Sequence, residues 1–289
     1  MKRGSSTLGA MTVERKAIID GCAVPLEQAF LRITDDGAVR GDGVFETIGV
    51  WDGRPFRVAD HLRRLTSSLS ALRLPETDTD AIAGDIDALL TGIGEADAAV
   101  RIYVTGSGTR VLTLSEQPVR PPIRHLVPQP APWIRPLSSS ETKEAAAKSM
   151  SYAPYMAATR AARAAGGDDA LLLATEGWIL EGPTFAVLWT RDGALRTPAI
   201  DLGILDSITR RTLLELTDLP VEEGCWPLDE LTGAGELMIC SSLRDVETIR
   251  RIGDLRFDGP TPVRDALSVA LNTARRASPR DRLRPRSPS

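Results

Sequence analysis

The chain has 289 residues, enough to bury a sizeable core and to form two compact units with a small-molecule site between them. Its 42% hydrophobic and 26% charged content is that of a soluble globular protein, and no apolar run nears the roughly 20 residues that span a bilayer, which excludes a membrane partner. A formal net charge of −4 argues against a nucleic-acid partner, three scattered cysteines exclude a disulfide framework and fit a reducing cytoplasm, and two histidines, His61 and His125, exclude a histidine-rich metal site.

Residues 1–10 carry no apolar signal-peptide core and read as a disordered leader. Lys16–Asp20 is expected as a first strand and Gly43–Trp51 as a second, with Asp52-Gly53 as a hairpin turn and Arg54–Arg57 returning along the sheet. Val58, Leu62, Leu65, Leu69 and Leu72 then recur in steps of four and three, an apolar stripe on a helix that ends near Pro75. A second helix is expected over Asp78–Ile93 and a strand over Ala99–Thr105. Gln117–Pro122 is stiff and proline-rich and marks a linker between an N-terminal unit, 11–121, and a C-terminal unit, 122–277.

In the second unit, Pro154 suits the first turn of a helix that runs to Ala165 and stops at Gly166-Gly167. Asp169–Leu173, Trp178–Leu180, Phe185–Trp189 and Glu236–Cys240 read as strands, with Asp192-Gly193 as another hairpin turn. Ser207 is an N-cap candidate for a helix over Ile208–Leu216, and Val263–Ala277 reads as the final helix. The Pro- and Ser-rich residues 278–289 read as a frayed tail. Strands and helices in runs, without regular alternation, indicate an α+β fold.

Lysine is rare: the sequence has only Lys2, Lys16, Lys143 and Lys148. By its own neighbourhood Lys148 reads as a solvated lysine, like Lys143. Its motif changes that. Arg40–Thr47 (RGDGVFET), His61–Leu65 (HLRRL), Lys148–Tyr152 (KSMSY), Leu180–Pro183 (LEGP), Ile208–Arg210 (ITR) and Ser241–Asp245 (SSLRD) occur in one order, and together they resemble the class IV aminotransferases. These are the fold-type IV pyridoxal-phosphate enzymes, which include branched-chain and D-amino-acid aminotransferases and aminodeoxychorismate lyase.

The resemblance implies an N-terminal sandwich-like domain and a C-terminal pseudo-barrel domain, with pyridoxal 5′-phosphate between them. It makes Lys148 the Schiff-base lysine and proton carrier. Glu181 is then the carboxylate facing the pyridine nitrogen, and Tyr152 the phenol facing the ring oxygen. Arg64 would bind the phosphate through a planar fork, with the backbone amides of Ile208 and Thr209 behind Ser207 and the hydroxyl of Ser242. The backbone amides of Leu243 and Arg244 would receive a substrate carboxylate. Arg101 and Arg110 could clamp one or remain ordinary surface arginines. No metal is implied, and a homodimer is.

Three positions depart from the family's pattern: Gly49 replaces an arginine, Phe185-Ala186 a polar stretch, and Asp206-Ser207 a Pro-Gly pair. The expected activity is transamination between amino acids or amines and 2-oxo acids. The alternative is aminodeoxychorismate lyase, which the short Gly106–Arg110 stretch resembles. A catalytically silent binding protein of the same fold is the remaining reading.

Overall fold

The computed structural model describes residue 13, residues 15–133 and residues 146–279. Lys143 and residues 1–10 lie outside the described residues, as does most of the tail.

Strands β1 (Lys16–Ile19), β2 (Cys22–Pro25), β3 (Gly43–Trp51), β4 (Arg54–Pro55), β5 (Ala98–Thr105) and β6 (Arg110–Glu116) form one antiparallel sheet in the order β2-β1-β6-β5-β3-β4. The β3–β4 hairpin turns at Asp52 (φ 51°) and Gly53 (φ 71°), as a turn with two left-handed residues requires. The pleat of β3 sends Val44, Glu46, Ile48 and Val50 to one face and Phe45, Thr47 and Gly49 to the other. Of the helices α1 (Asp36–Arg40), α2 (Val58–Ala71) and α3 (Thr79–Leu90), the last two cover the first face. Val44, Ile48 and Val100 there meet Leu65, Leu69, Ile82 and Ile86 in one core. Helix α3 starts one residue later than expected because Asp78 caps it, its carboxylate accepting from the amides of Asp80 and Ala81 at 3.0 Å.

Two further sheets follow. Strands β7 (His125–Pro130), β8 (Asp169–Leu173), β14 (Arg251–Ile252) and β15 (Leu255–Arg256) pair in the order β15-β14-β7-β8, with β7 parallel to both β8 and β14. Strands β9 (Ala186–Arg191), β10 (Ala194–Pro198), β11 (Val221–Gly224), β12 (Leu237–Ser241) and β13 (Arg244–Ile249) pair in the order β11-β10-β9-β12-β13. Leu126 and Leu171 of the four-stranded sheet share a core with Val187, Trp189, Leu237 and Ile239 of the five-stranded one. Helix α4 (Ala153–Ala164) packs Ala162 on Ala170 and Leu172, while α5 (Ile208–Leu216) and α6 (Pro262–Arg276) pack Leu213, Leu267 and Leu271 on Leu188 and Met238. The fold is α+β.

Several expectations change. Trp178–Leu180 is not a strand but two isolated bridges, Ile179 to Leu173 and Trp178 to Pro227. Strand β7 is not among the expected elements, and its Pro128 and Pro130 are residues that disfavour an interior strand. Glu236 is not the start of β12. Its carboxylate instead accepts from the amides of Val263 and Arg264 at 2.9 and 2.8 Å, at the first turn of α6.

The first sheet meets the second part of the chain through β3 and β4. Phe56 and Trp51 join the core under α6, where the Arg275 guanidinium lies 4.1 Å from the Trp51 ring centroid. A Cβ on Gly49 would stand 2.6 Å from the carbonyl oxygen of Ser242, so the departure at Gly49 is what lets β3 approach the turn after β12.

Candidate active site

Strand β4 pairs only with the last two residues of β3, which leaves the edge of Gly43–Phe45 open. The segment 148–150 takes it. Phe45 N donates to Lys148 O at 2.9 Å and Met150 N to Gly43 O at 2.8 Å, while Lys148 N donates to Ser68 Oγ of α2 at 3.1 Å. Three hydrogen bonds to two elements, β3 and α2, therefore fix the Lys148 segment, and the Lys148 Nζ lies 4.5 Å from the Phe45 ring centroid. Desolvation, and next the positive charge of Arg64, bring the Lys148 amine down to about 8; Glu46 and Glu181 oppose this.

A buried charged cluster lies beneath. Glu46 points from β3 toward α2, where Arg64 Nε and Nη2 donate to its two oxygens at 2.7 Å each and His61 Nδ1 lies 2.7 Å from Oε2. Burial raises the Glu46 carboxyl, yet the charge and hydrogen bonds of Arg64 outweigh it and hold the group well below the usual range. Burial holds His61 below its ordinary value, hence neutral. Arg64 Nη1 donates to the Asp206 carbonyl at 2.7 Å, just before α5. Asp206 thus contributes its backbone, while its side chain pairs with Arg211.

Above this cluster is a cavity of about 640 Å³ whose wall includes Arg64, Lys148, Tyr152, Glu181, Ser207 and Ser242. Glu181 is buried and accepts from the Leu205 amide at 3.2 Å. The Phe185 ring covers Gly182, where an added Cβ would clash at 2.0 Å, so the apolar departure at Phe185 shapes the turn that carries Glu181. Ser207 caps α5 by accepting from Arg210 N at 3.2 Å, which leaves the first-turn amides of Ile208 and Thr209 behind it. A second cavity of about 210 Å³ shares Lys148, Tyr152 and Ser242 with the first and adds Phe45, Thr47, Arg101, Arg120 and Leu243.

The family model described as amino-transferase class IV matches residues 43–252, the span that builds this site. The chain belongs to that family. A fold IV-transaminase from Curtobacterium pusillum is 31% identical, with 91% of this chain and 99% of that one covered and a TM-score of 0.80. The PLP-bound form of a hypothetical aminotransferase from Mycobacterium tuberculosis is 25% identical over 90% and 98% of the two chains, with a TM-score of 0.81. Among curated relatives, the bifunctional aminodeoxychorismate lyase / D-amino acid transaminase of Mycobacterium tuberculosis is 29% identical over 76% of this chain and 89% of its own length. Aminodeoxychorismate lyase of Bacillus subtilis is 26% identical over 83% and 87%.

The cofactor of this class IV aminotransferase family is pyridoxal 5′-phosphate. The donor set fits it. An amine brought toward neutrality, a buried carboxylate, a guanidinium, a serine hydroxyl and a helix start face one cavity, and no group of three or more His, Cys, Asp or Glu suited to a metal occurs among the described residues.

Two details of the arginine and tyrosine differ from expectation. The Arg64 fork is not open to a phosphate, because Glu46 occupies its Nε–Nη2 side. With three of its five N–H donors engaged, one remains on each terminal nitrogen. The Tyr152 hydroxyl donates to the Pro183 carbonyl, and the ring stacks on Tyr155 and meets Phe45 edge-on. Arg110 is not brought to either cavity. It pairs with Val104 across the β5–β6 ladder, so the pleat turns it to the helix face, where Nη2 bonds Asp85 of α3 at 2.8 Å. Arg101, three residues from Val104, faces the other way and lines the smaller cavity. The Arg244 side chain bonds Glu247 at 2.8 Å and the Pro121 carbonyl at 3.2 Å. Glu46, Arg120 and Ser241 carry no role in the sequence reading. For Glu46 the available signal was its place in the RGDGVFET motif, in alternation with Val44, Ile48 and Val50 on the apolar face of the expected strand.

Proposed function

We propose that the chain is an aminotransferase that moves an amino group between an amino acid or amine and a 2-oxo acid, with Lys148 as its catalytic lysine. The observation that carries this is the convergence of Lys148, Tyr152, Glu181 and Arg64 on one cavity. Pyridoxal phosphate, when bound, supplies a ring that takes up the electron pair left when a proton leaves the carbon bearing the substrate's amine. Lys148 holds the cofactor and then, as a neutral amine, takes and returns that proton. An amine near 8 needs only a small further shift to be neutral at physiological pH.

Glu181 would pair with the ring nitrogen and favour its protonated form, and Tyr152 would donate to the ring oxygen in place of the Pro183 carbonyl. Arg64, the Ile208 and Thr209 amides and Ser242 hold the phosphate. The backbone of Leu243 and Arg244 receives the substrate carboxylate. The two units, 11–121 and 122–277, are domains that flank the site, and the enzyme works as a homodimer in the cytoplasm.

Reduction with borohydride followed by peptide mapping tests the tether: a label on Lys148 is expected, and a label on Lys143 would overturn the assignment. Aminodeoxychorismate lyase remains the second reading, because a lyase of that name aligns along 83% of this chain. A single turnover separates the two. A transaminase releases a 2-oxo acid from an amino acid and leaves the nitrogen on the enzyme, whereas the lyase releases pyruvate and 4-aminobenzoate with no acceptor present.

A further inference from the structure

Asp206 sets a carboxylate beside the amides that are open to an anion. It directly precedes Ser207, the cap of α5, and its carbonyl accepts from Arg64 Nη1 at 2.7 Å. Burial lowers the Arg64 guanidinium, but Glu46 and then the charge of Asp206 hold it above its ordinary value, so the Asp206 charge is felt at that arginine. Glu46 already cancels most of the charge of Arg64. An unbalanced carboxylate at this point opposes a bound dianion in two ways: it repels the phosphate, and it competes for the positive end of the helix.

Arg211 supplies the balance. From α5 its Nη2 holds the Asp206 carboxylate at 2.7 Å, while Nη1 reaches Asp60 Oδ1 of α2 at 3.4 Å. Asp60 has further cations in Arg57, at 3.6 Å, and Arg63. Among the described residues Asp206 has no second one, so loss of Arg211 falls on Asp206. The Arg211 side chain is 35% exposed and that of Asp206 45%, and an ion pair so open to water adds little to folding stability. Its effect on a phosphate is larger, because two charges on the ligand double the interaction with Asp206.

We propose that Arg211 is a positioning residue of the phosphate site: it cancels the charge of Asp206 and ties the start of α5 to α2 through Asp60, so that a dianion can settle on the Ile208 and Thr209 amides. This rests on the reading of those amides and Arg64 as the phosphate donors. Titration of the full chain, stripped of cofactor, with pyridoxal 5′-phosphate and with pyridoxal, followed by absorbance, tests it. Arg211→Gln is expected to weaken pyridoxal phosphate about tenfold, the scale of one like-charge contact near a protein surface, and to leave pyridoxal within about twofold. The double variant Asp206→Asn, Arg211→Gln is expected to recover the lost affinity, and about 0.5 M salt to shrink the defect of the single one. The denaturant midpoint of the stripped Arg211→Gln chain should not move, which a merely structural role would require. A phosphate preference that Arg211→Gln leaves unchanged, a pyridoxal loss as large as that of pyridoxal phosphate, or a double variant no better than the single one overturns the role of Arg211 alone. Equal binding of pyridoxal and pyridoxal phosphate by the unaltered chain overturns the phosphate reading and the proposal with it.

Discussion

Arg64 and Glu46 form a two-pronged buried ion pair, Nε to Oε1 and Nη2 to Oε2, both at 2.7 Å, and neither side chain is more than 7% exposed. The pair aims Arg64 at the large cavity and cancels most of its charge. The phosphate site therefore depends on the first-turn amides of α5 as well as on the arginine.

Glu46→Gln leaves Arg64 buried with no carboxylate. Breaking one partner of a buried pair costs about 3–5 kcal/mol, so the denaturant midpoint of the cofactor-free chain is expected to fall sharply. A loss under about 1 kcal/mol would show that Arg64 finds another partner.

Acid should unfold the chain in two stages. His61 has a folded value below its ordinary 6.5 and Glu46 one below its ordinary 4.5, so in both cases the unfolded chain binds the proton more readily. Stability from each is full above the unfolded value and lost as pH falls: first below about 6.5 through His61, then below about 4.5 through Glu46. Unfolding curves from pH 8 to 4 check this, and His61→Gln should remove the first stage. A flat profile between pH 7 and 5 contradicts the buried neutral histidine.

Lys148→Met should abolish activity yet stabilise the cofactor-free chain. The amine's fall from 10.5 to about 8 means its charged form is disfavoured in the fold, at a cost of about 1–3 kcal/mol after solvent screening of a half-buried group. That cost is full below pH 8 and gone above 10.5, so the variant's advantage should shrink across that window. Thermal unfolding at pH 7 and pH 10 reads the difference.

Gly49→Ala pushes a methyl against the Ser242 carbonyl and Trp51 Nε1, at 2.6 and 2.7 Å. Separation of β3 from the turn after β12 is expected to cost about 1–3 kcal/mol and to weaken cofactor binding. Unchanged affinity would mean that this contact does not shape the site.

Glu181→Gln should retain the cofactor and slow the half-reaction, whereas Arg64→Ala should lose the cofactor. Retention by dialysis and single-turnover rates distinguish them, and equal cofactor loss in both would mean the two roles are misassigned.

The amphipathic stripes of α2 and α3, the Asp52-Gly53 turn, the Ser207 cap and the α+β class were legible in the sequence, because each depends on local periodicity or on a side chain reaching its own backbone. The motif around Lys148 was legible too, though only as a resemblance. What the sequence could not decide depends on alternation between strands and on long-range pairing. Val104 opposite Arg110 turns that arginine away from the cavities, and Thr47 opposite Arg101 turns that one toward them. Arg120 reads locally as part of a stiff linker. It becomes a cavity wall because the segment passes between β6 and β7 beside Arg101, and no local pattern encodes that proximity.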